Sequence, residues 1–257
     1  MNFVKPNIIA VINQKGGVGK TTTSVNLSAA LAALEKKILL IDFDPQANTT
    51  SSIGIDINVD SKTIYDFLDN NSLSDECIYH SKLAYLDVIP SHIDLVGIEI
   101  ESVNMIGREY LLKNSISKIK IKYDYIIIDC PPSLGLLTIN ALSAADSVII
   151  PIQCEYLALE GLGKLLNTIK SIQKIHNNNL SIEGLLLTMY DTRLNLSNQV
   201  KKEVKIHFNE MVFKTIIHRN VKLGEATSFG KSIIDYDVSS KGADNYLNLA
   251  QELISKN

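Results

Sequence analysis

One short loop constrains the fold of this chain more than any other feature. The apolar run Ile8–Ile12 leads into a glycine-rich loop, and a helical pattern begins near Thr21. The loop reads Gln14-Lys15-Gly16-Gly17-Val18-Gly19-Lys20-Thr21-Thr22. Glycines let a backbone wrap closely around an anion, while successive N–H groups and the helix N-terminus point at it. The loop therefore predicts a phosphate-binding site between a strand and a helix.

This loop departs from the general phosphate-loop pattern G-x-x-x-x-G-K-[ST] at one position. Gln14 stands where the first glycine is expected, and Lys15 adds a second cation to the loop. Lys20 is placed to reach the β- and γ-phosphates of a nucleotide, and the Thr21 hydroxyl is placed to coordinate Mg²⁺. The alternative is a glycine-rich turn with incidental lysines, which the strand-loop-helix context disfavours.

Short apolar runs alternate with helical patterns along the rest of the chain. This alternation predicts an α/β fold, a doubly wound and mostly parallel sheet flanked by helices, as one domain over residues 1–257. The predicted strands are Ile8–Ile12, Ile38–Phe43, Tyr125–Asp129, Ser147–Ile152 and Gly184–Met189. The predicted helices are Thr21–Leu34, Leu136–Ala145, Leu159–His176, Leu196–Phe208 and Ala243–Ser255. The less regular Asp66–Glu76 is expected to be a surface excursion.

Composition excludes several classes of protein. Hydrophobic residues make up 46% and charged residues 21%, which is ordinary for a globular chain. No apolar run approaches the ~18 residues of a spanning helix, and no signal peptide or DNA-binding extension is expected before the first strand. Cys77, Cys130 and Cys154 show no CxxC spacing, so we expect reduced thiols in a cytoplasmic protein.

Acidic residues follow two of the predicted strands. Asp42 and Asp44 end or follow the second strand, and Asp129 ends the third. The carboxyl ends of parallel strands meet at one edge of a sheet, beside the nucleotide crevice. A lone aspartate there is usually a turn or cap residue, but two such segments downstream of a phosphate loop favour a metal and nucleotide site.

Five segments in order resemble the ParA/Soj branch of the superfamily that also includes MinD and the nitrogenase iron protein. They are NQKGGVGKTTTSVN from Asn13, LIDFDPQANT from Leu40, IIIDCPPSL from Ile126, IPIQCEYLALEG from Ile150 and RNVKLGEATSFG from Arg219. Members of this branch are chromosome- and plasmid-partition ATPases. The resemblance covers nearly the whole chain and implies an ATP- and Mg²⁺-dependent ATPase.

The resemblance assigns roles to the loop and to the acidic residues. Asp129 resembles the acid that holds Mg²⁺ through water, Asp42 lies close to the metal, and Asp44 helps to position the attacking water. In the family, ATP is sandwiched in a homodimer, and the lysine that matches Lys15 reaches the partner's phosphates. Lys15, Lys20 and Asp44 are thus the expected catalytic residues, with ATP bound by Gly16, Gly17, Val18, Gly19, Thr21 and Thr22 as well.

Basic residues concentrate between positions 193 and 231. Eight Lys or Arg stand there against three Glu, a local charge of +5 that leaves −8 for the rest of a chain of net charge −3. The resemblance implies nonspecific binding of double-stranded DNA by the ATP dimer, at the nucleoid, and stimulation by a ParB-type centromere-binding protein. The matching or neighbouring cations are Arg193, Lys201, Lys202, Lys205, Arg219 and Lys222. A solvated basic helix face is the alternative interpretation.

Some interpretations stay open. The family usually has proline where this chain has His218, in the segment near adenine; the resemblance places Asn220 among the ATP-binding residues. A MinD-like membrane-cycling ATPase is the nearest rival, although the C-terminal segment carries little positive charge and no stable membrane association is expected. An iron–sulfur carrier would need a second suitable cysteine besides Cys130. A nucleotide-gated scaffold without useful hydrolysis is disfavoured by Lys20, Asp44 and Asp129.

Overall fold

A seven-stranded sheet forms the centre of the fold. The computed structural model describes residues 6–69, 74–119, 122–155 and 158–256. The strands lie in the order β3-β4-β2-β5-β1-β6-β7, and all neighbours are parallel except β3 and β4. Their bounds are β1 Asn7–Val11, β2 Ile38–Asp42, β3 Tyr79–His80, β4 Leu86–Ile89, β5 Tyr125–Asp129, β6 Ser147–Gln153 and β7 Ser181–Thr188.

Helices cover both faces of this sheet, so its central strands are buried on both sides and read as unbroken apolar runs. The helices are α1 Lys20–Ala33, α2 Asn48–Ser52, α3 Ile64–Leu68, α4 Val96–Glu101, α5 Leu111–Ile119, α6 Leu136–Ala144, α7 Ala158–Ile175, α8 Asn195–Phe208, α9 Val221–Ser228, α10 Ile233–Tyr236 and α11 Lys241–Lys256. Short 3₁₀ turns lie at 74–77, 93–95, 108–110 and 209–211.

Alternate residues of each strand supply two separate cores. Ile9 and Val11 of β1 pack with α1 and α11, whereas Ile8 and Ala10 face the core that includes α5, α6, α7 and α8. Tyr246 of α11 is buried against α1 and donates or accepts a hydrogen bond at the Thr23 hydroxyl. None of the helices in the described ranges is both long and apolar enough to cross a bilayer.

The predicted α/β class and the doubly wound parallel sheet are confirmed. All five predicted strands and five predicted helices are present, with ends that shift by up to three residues. The prediction missed β3 and β4, because β4 is only four residues long and carries Asp87 in its middle. Asp87 accepts a hydrogen bond from Tyr123 Oη at 2.9 Å, and its Oδ1 lies 2.6 Å from Nδ1 of His80 on the edge strand β3.

The segment 66–76, expected to be a surface excursion, begins as part of α3. Thr63 and Asp66 form a capping box that starts this short helix, and Phe67 and Leu68 are buried. Residues 70–73 lie outside the described residues. The three cysteines are free and buried, as expected.

The sheet order brings the loop and the acidic residues to one edge. β1 lies between β5 and β6, so the loop after β1 lies above a point where the chain's crossovers run in opposite directions. Such a switch point at the carboxyl edge is the usual place for a bound nucleotide in α/β folds. Asp42 of β2 pairs in register with Asp129 of β5, which in turn pairs with Val11 of β1.

Gly184→Ala should destabilise the fold. A Cβ at Gly184 would lie 2.4 Å from Cε2 of Phe213, which is fully buried. Overpacking of this kind costs about 1–3 kcal/mol in free energy of unfolding, measurable by urea denaturation. The control is Gly163→Ala on the exposed side of α7, where a Cβ meets nothing within 4 Å and should stabilise by up to about 1 kcal/mol. Equal stability of the Gly184 variant and wild type would contradict this packing argument.

Candidate functional site

The glycine-rich loop has the backbone of an anion cradle. Gly17 and Gly19 have φ of +74° and +91°, a region that favours glycine. A Cβ added at Gly16 or Gly17 would meet nothing within 4 Å, so the loop surface there is open to a ligand. Thr188 of β7 holds the loop from the side, since its hydroxyl donates to the Val18 carbonyl at 2.8 Å.

The N-terminus of α1 adds to this cradle. The helix begins at Lys20, its N-cap is Gly19, and no side chain caps its first N–H groups. Free N–H groups at a helix start attract anions. Lys20 is buried, and its Nζ donates to the Lys15 carbonyl at 3.2 Å. Burial lowers the pKa of Lys20, and the carboxylate of Asp129 opposes that shift.

Asp129 is fully buried and accepts hydrogen bonds from three hydroxyls. Thr21 Oγ1 donates to its Oδ2 at 2.8 Å, Thr49 Oγ1 to the same oxygen at 2.7 Å, and Ser24 Oγ to its Oδ1 at 2.8 Å. Burial raises the pKa of Asp129, and these three bonds work against that rise. The predicted metal residues Thr21 and Asp129 are therefore in direct contact.

Asp42 lies beside Asp129 and is equally buried. Thr50 donates to Asp42 Oδ2 through both its backbone N–H, at 2.8 Å, and its hydroxyl, at 2.7 Å. Burial, with the neighbouring charge of Asp129, raises the pKa of Asp42 to about 7. The Thr50 hydroxyl also accepts a bond from the Ser91 backbone N–H at 2.9 Å, which ties α2 to the end of β4.

Asp44 occupies the turn between β2 and α2. It is buried, its backbone N–H donates to Asp42, and its Oδ1 accepts from the Gln46 N–H at 3.0 Å. One carboxyl cluster therefore contains all three predicted aspartates, with Lys20 and Thr21 beside it. Hydroxyl and carboxylate oxygens are the donors that Mg²⁺ prefers, so this donor set fits the predicted metal.

Lys15 is the predicted catalytic residue that lies apart from this cluster. Its side chain is half-exposed, and Nζ lies 3.8 Å from Glu155 Oε2. Glu155 in turn accepts a hydrogen bond from Gln153 Nε2. The loop around Lys15 is fixed by Asn13, whose amide donates to the Pro151 carbonyl and whose Oδ1 accepts from the Lys15 N–H. The backbone of Lys15 is thus anchored, while its side chain lies beside Glu155.

A largely apolar cavity of about 340 Å³ opens next to the loop. Its lining includes Gly19, Thr22, Met189, Ile217, His218 and Asn220. The Asn220 side-chain oxygen caps α9 by accepting from the Lys222 N–H at 2.9 Å. Asn220 therefore lines the predicted base site, but its oxygen already has a donor within the chain.

The histidine in place of the family's proline has a structural reason. The backbone N–H of His218 donates to Asn245 Oδ1 at 3.0 Å, a bond that proline cannot make. Its ring packs edge-to-face on Tyr190, with centroids 5.6 Å apart. His218 thus joins the cavity wall to α11 and to the segment after β7.

The predicted DNA-binding cations divide into two groups. Arg193, Lys201 and Arg219 lie around Tyr190 and Asp191. Arg193 forms a two-pronged ion pair with Asp191, and Lys201 Nζ lies 4.9 Å from the Tyr190 ring centroid. The backbone N–H of Arg219 donates to the Tyr190 carbonyl. Lys202 is exposed on the next position of α8. Lys222 lies on α9 and pairs with Asp237.

Two of these cations are thus neutralised within the chain, which the sequence did not predict. The Arg193 guanidinium lowers the pKa of Asp191, and the Lys222 ammonium lowers that of Asp237. The side chains of Arg193 and Lys222 are 85% and 50% exposed, whereas those of Asp191 and Asp237 are 11% and 21% exposed.

Ser24, Thr49 and Thr50 are site residues that the sequence analysis did not single out. Ser24 stands one helical turn after Lys20, and this spacing alone could have placed its hydroxyl near Asp129. Thr49 and Thr50 reach the aspartates only because the turn at 44–47 directs α2 back toward the sheet.

The parallel sheet, the glycine-rich loop after β1 and the aspartates at the strand ends together define a P-loop ATPase. The chain matches the family profile described as AAA domain over residues 6–182. It is 57% identical over 246 residues to the sporulation initiation inhibitor protein Soj of Bacillus subtilis, covering 96% of this chain and 97% of that protein. It is 51% identical over 249 residues to the chromosome partitioning protein ParA of Myxococcus xanthus, covering 97% and 88%.

A solved structure also resembles this chain in fold. Cobyrinic acid a,c-diamide synthase from Mycobacterium smegmatis, solved with bound ATP analog and magnesium, has a TM-score of 0.84 and 37% identity, covering 97% of this chain and 94% of that one. The chain therefore belongs to the Soj/ParA family of partition ATPases. The predicted family and the predicted ATPase class are both confirmed.

Thr50→Val should destabilise the protein while keeping the size of the side chain. The change removes a hydroxyl that donates to buried Asp42 and accepts from the Ser91 N–H, so both groups lose a partner. We expect a loss of about 2–4 kcal/mol in free energy of unfolding, measured by urea denaturation. Thr168→Val on α7, whose hydroxyl bonds only within its own helix at the surface, is the control and should change little. Equal effects of the two variants would refute the Thr50 network.

Proposed function

We propose that this chain is an ATP-driven DNA-partition switch. In the proposal, Mg-ATP brings two subunits together, the dimer binds DNA without sequence preference, and hydrolysis stimulated by a ParB-type partner resets it. The single observation that carries the proposal is the contrast between the two loop lysines. Lys20 is buried at the head of α1 with Asp129 nearby, whereas Lys15 is half-exposed and pairs with Glu155.

This contrast fits two different tasks for two cations. Lys20 would bind the β- and γ-phosphates of the subunit's own ATP, beside Thr21 and Asp129, which would hold Mg²⁺. Lys15 would reach the phosphates bound by the partner subunit. Phosphoryl transfer is accelerated chiefly by positive charge placed where negative charge develops. A lysine supplied by the partner makes dimerisation and catalytic competence one event.

Asp44 is the proposed positioning group for the attacking water. Its Oδ1 is held by the Gln46 N–H, which fixes the carboxylate at the start of the turn. Magnesium, when bound, would supply positive charge against the phosphates. The backbone N–H groups of the loop from Gly16 to Thr22 would orient the phosphates, and the apolar cavity beside Thr22 would take the base.

Nonspecific DNA binding is proposed for the basic face around Tyr190. Contacts to phosphate need clustered cations rather than base-reading groups. Arg193, Lys201 and Arg219 meet at this point, and Lys202 and Lys222 extend the face on α8 and α9. A dimer would double the number of cations on one DNA, which would make DNA binding depend on ATP. Such a switch would act at the nucleoid.

The membrane-cycling alternative is less well supported. A membrane helix of that kind needs a free apolar face flanked by cations. The apolar residues of α11, including Tyr246, Leu249 and Leu253, are buried against the sheet and α1. Its basic residues are few, and the helix has no apolar stripe left for lipid.

Lys15→Ala should separate ATP binding from turnover. Binding of a fluorescent ATP analogue should be unchanged, because Lys20 and the loop N–H groups remain. Turnover stimulated by DNA and partner should fall by roughly 10²–10³-fold, measured by phosphate release, and ATP-dependent dimerisation should be lost in light scattering. Lys37→Ala, at the opposite edge of the sheet, is the matched control. A Lys15 variant with wild-type stimulated turnover would rule out the proposed role.

The double change Arg193→Ala with Lys222→Ala should weaken DNA binding and its salt dependence. Each lost phosphate contact lowers the slope of log affinity against log salt by about 0.9, so two lost contacts lower it by about 2. Fluorescence anisotropy on duplexes of unrelated sequence, with Mg-ATP, measures both quantities. Lys36→Ala with Lys37→Ala makes the same charge change at the opposite edge and should leave the slope unaltered. An unchanged slope in the Arg193 and Lys222 variant would exclude these residues from the DNA interface.

A further inference from the structure

One buried aromatic residue lies among the cations of the face proposed to bind DNA. Tyr190 follows the last residue of β7 by two positions, and only 5% of its surface is exposed. Its hydroxyl, its ring and its main chain each contact one of these cations or the segment that carries it. Groups of this kind, which support the residues that touch a ligand, fix the geometry in which the ligand is met.

The hydroxyl of Tyr190 anchors the loop that carries Arg193. It donates to Asn198 Oδ1 at 2.6 Å. The side-chain amide of Asn198, in the first turn of α8, donates in turn to the carbonyls of Thr192 and Leu194, at 3.1 and 3.2 Å. These two carbonyls lie on either side of Arg193 in the chain. Loss of the hydroxyl would therefore remove a bond that fixes the amide, and with it the loop.

The ring of Tyr190 holds the side chain of Lys201. Lys201 Nζ lies 4.9 Å from the ring centroid, which is within the range of a cation–π interaction. Attraction to the ring restricts a long, flexible side chain. A carboxylate would restrict it too, but it would also cancel the positive charge. The ammonium of Lys201 is therefore positioned and keeps its charge for a phosphate.

The main chain of Tyr190 pairs with the segment 217–219. Its N–H donates to the Ile217 carbonyl at 3.1 Å, and its carbonyl accepts from the Arg219 N–H at 3.0 Å. His218, between these two residues, packs its ring edge-to-face on the Tyr190 ring. His218 also lines the cavity proposed for the base. The proposed base site and the cationic face therefore share a wall, which fixes the position of the Tyr190 ring.

These contacts make one residue the common support of three cations. We infer that Tyr190 is a positioning residue for DNA binding, because its hydroxyl, ring and main chain each hold a different cation in place. Side chains that are held before DNA arrives lose less conformational freedom on binding, so the complex is stronger. The cations contact phosphate, and Tyr190 acts through them. The inference rests on the DNA binding of the proposed function and names a residue on which that binding depends.

Tyr190→Phe tests the hydroxyl, because it removes no charge and keeps the ring. Affinity for a labelled duplex of arbitrary sequence, measured by fluorescence anisotropy on the full chain with Mg-ATP, should fall about fivefold, as expected for one net hydrogen bond. The slope of log affinity against log salt should fall as well, by up to about 0.9, because one phosphate contact is weakened. A change of slope without a change of charge indicates that cations have been displaced.

Tyr123→Phe is the matched control. Tyr123 is also buried, and its hydroxyl also donates to a side-chain oxygen, that of Asp87 on β4, toward the edge of the sheet opposite β7. The control should lose stability in urea but keep the affinity and the salt slope of wild type. An unchanged slope in Tyr190→Phe, or an equal loss of DNA affinity in the control, would overturn the inference, because Tyr190 would then act on the fold and not on the cations.

Tyr190→Leu tests the ring. This variant loses the cation–π contact as well as the hydroxyl, so DNA affinity should fall about 20-fold. A double-mutant cycle with Lys201→Ala shows whether the ring acts through this lysine. Lys201→Ala should weaken DNA binding less in the Tyr190→Leu protein than in wild type, because its ammonium is no longer held there. Equal losses in the two backgrounds would contradict the inference.

The wild-type protein separates this inference from the proposed function. ATP-dependent DNA binding by wild type, with Tyr190 variants that match it, would remove the inference and leave the proposed function standing. No DNA binding by wild type with Mg-ATP would remove both. DNA binding by wild type with a reduced slope in Tyr190→Phe alone would support both.

Discussion

Two buried carboxylates at neighbouring strand ends are the constraint on which the site depends. Asp42 and Asp129 pair in register, and burial raises the pKa of both. Buried charge is costly without partners. Every nearby element contributes to offsetting that cost: α1 supplies Lys20 and two hydroxyls, and α2 supplies two more. In the proposed function, the same oxygen atoms would help to hold a divalent cation. Local fold stability and the proposed metal site would then depend on the same groups.

Much of this geometry could be predicted from the sequence because parallel strands impose it. β1, β2, β5 and β6 are unbroken apolar runs, and their carboxyl ends must share an edge, which places Lys20, Asp42 and Asp129 together. The strand β4 was missed because a short strand with Asp87 at its centre gives no periodic signal. Thr49 and Thr50 were missed for another reason. Serine and threonine are common residues, and these two threonines donate hydrogen bonds to the aspartates only because of where α2 lies in the fold.

The small net charge of −3 conceals a divided surface. Cations gather around Tyr190 and on α8 and α9, while residues 91–110 contain four carboxylates and one arginine. In the proposed cycle the cationic face binds DNA and the acidic segment repels it. The uneven distribution of charge would therefore limit DNA to one part of the surface.

The unequal burial of the two loop lysines also gives a reason for the dependence of the proposed dimer on ATP. The Lys15 ammonium forms a half-exposed ion pair with Glu155 at 3.8 Å, and such pairs contribute little stability. Its side chain can therefore leave Glu155 at small cost. Entering a partner's site means losing water, which only a strong negative charge offsets. A triphosphate supplies that charge, and a diphosphate supplies less. Loss of the terminal phosphate would then favour the return of Lys15 to Glu155 and the separation of the subunits.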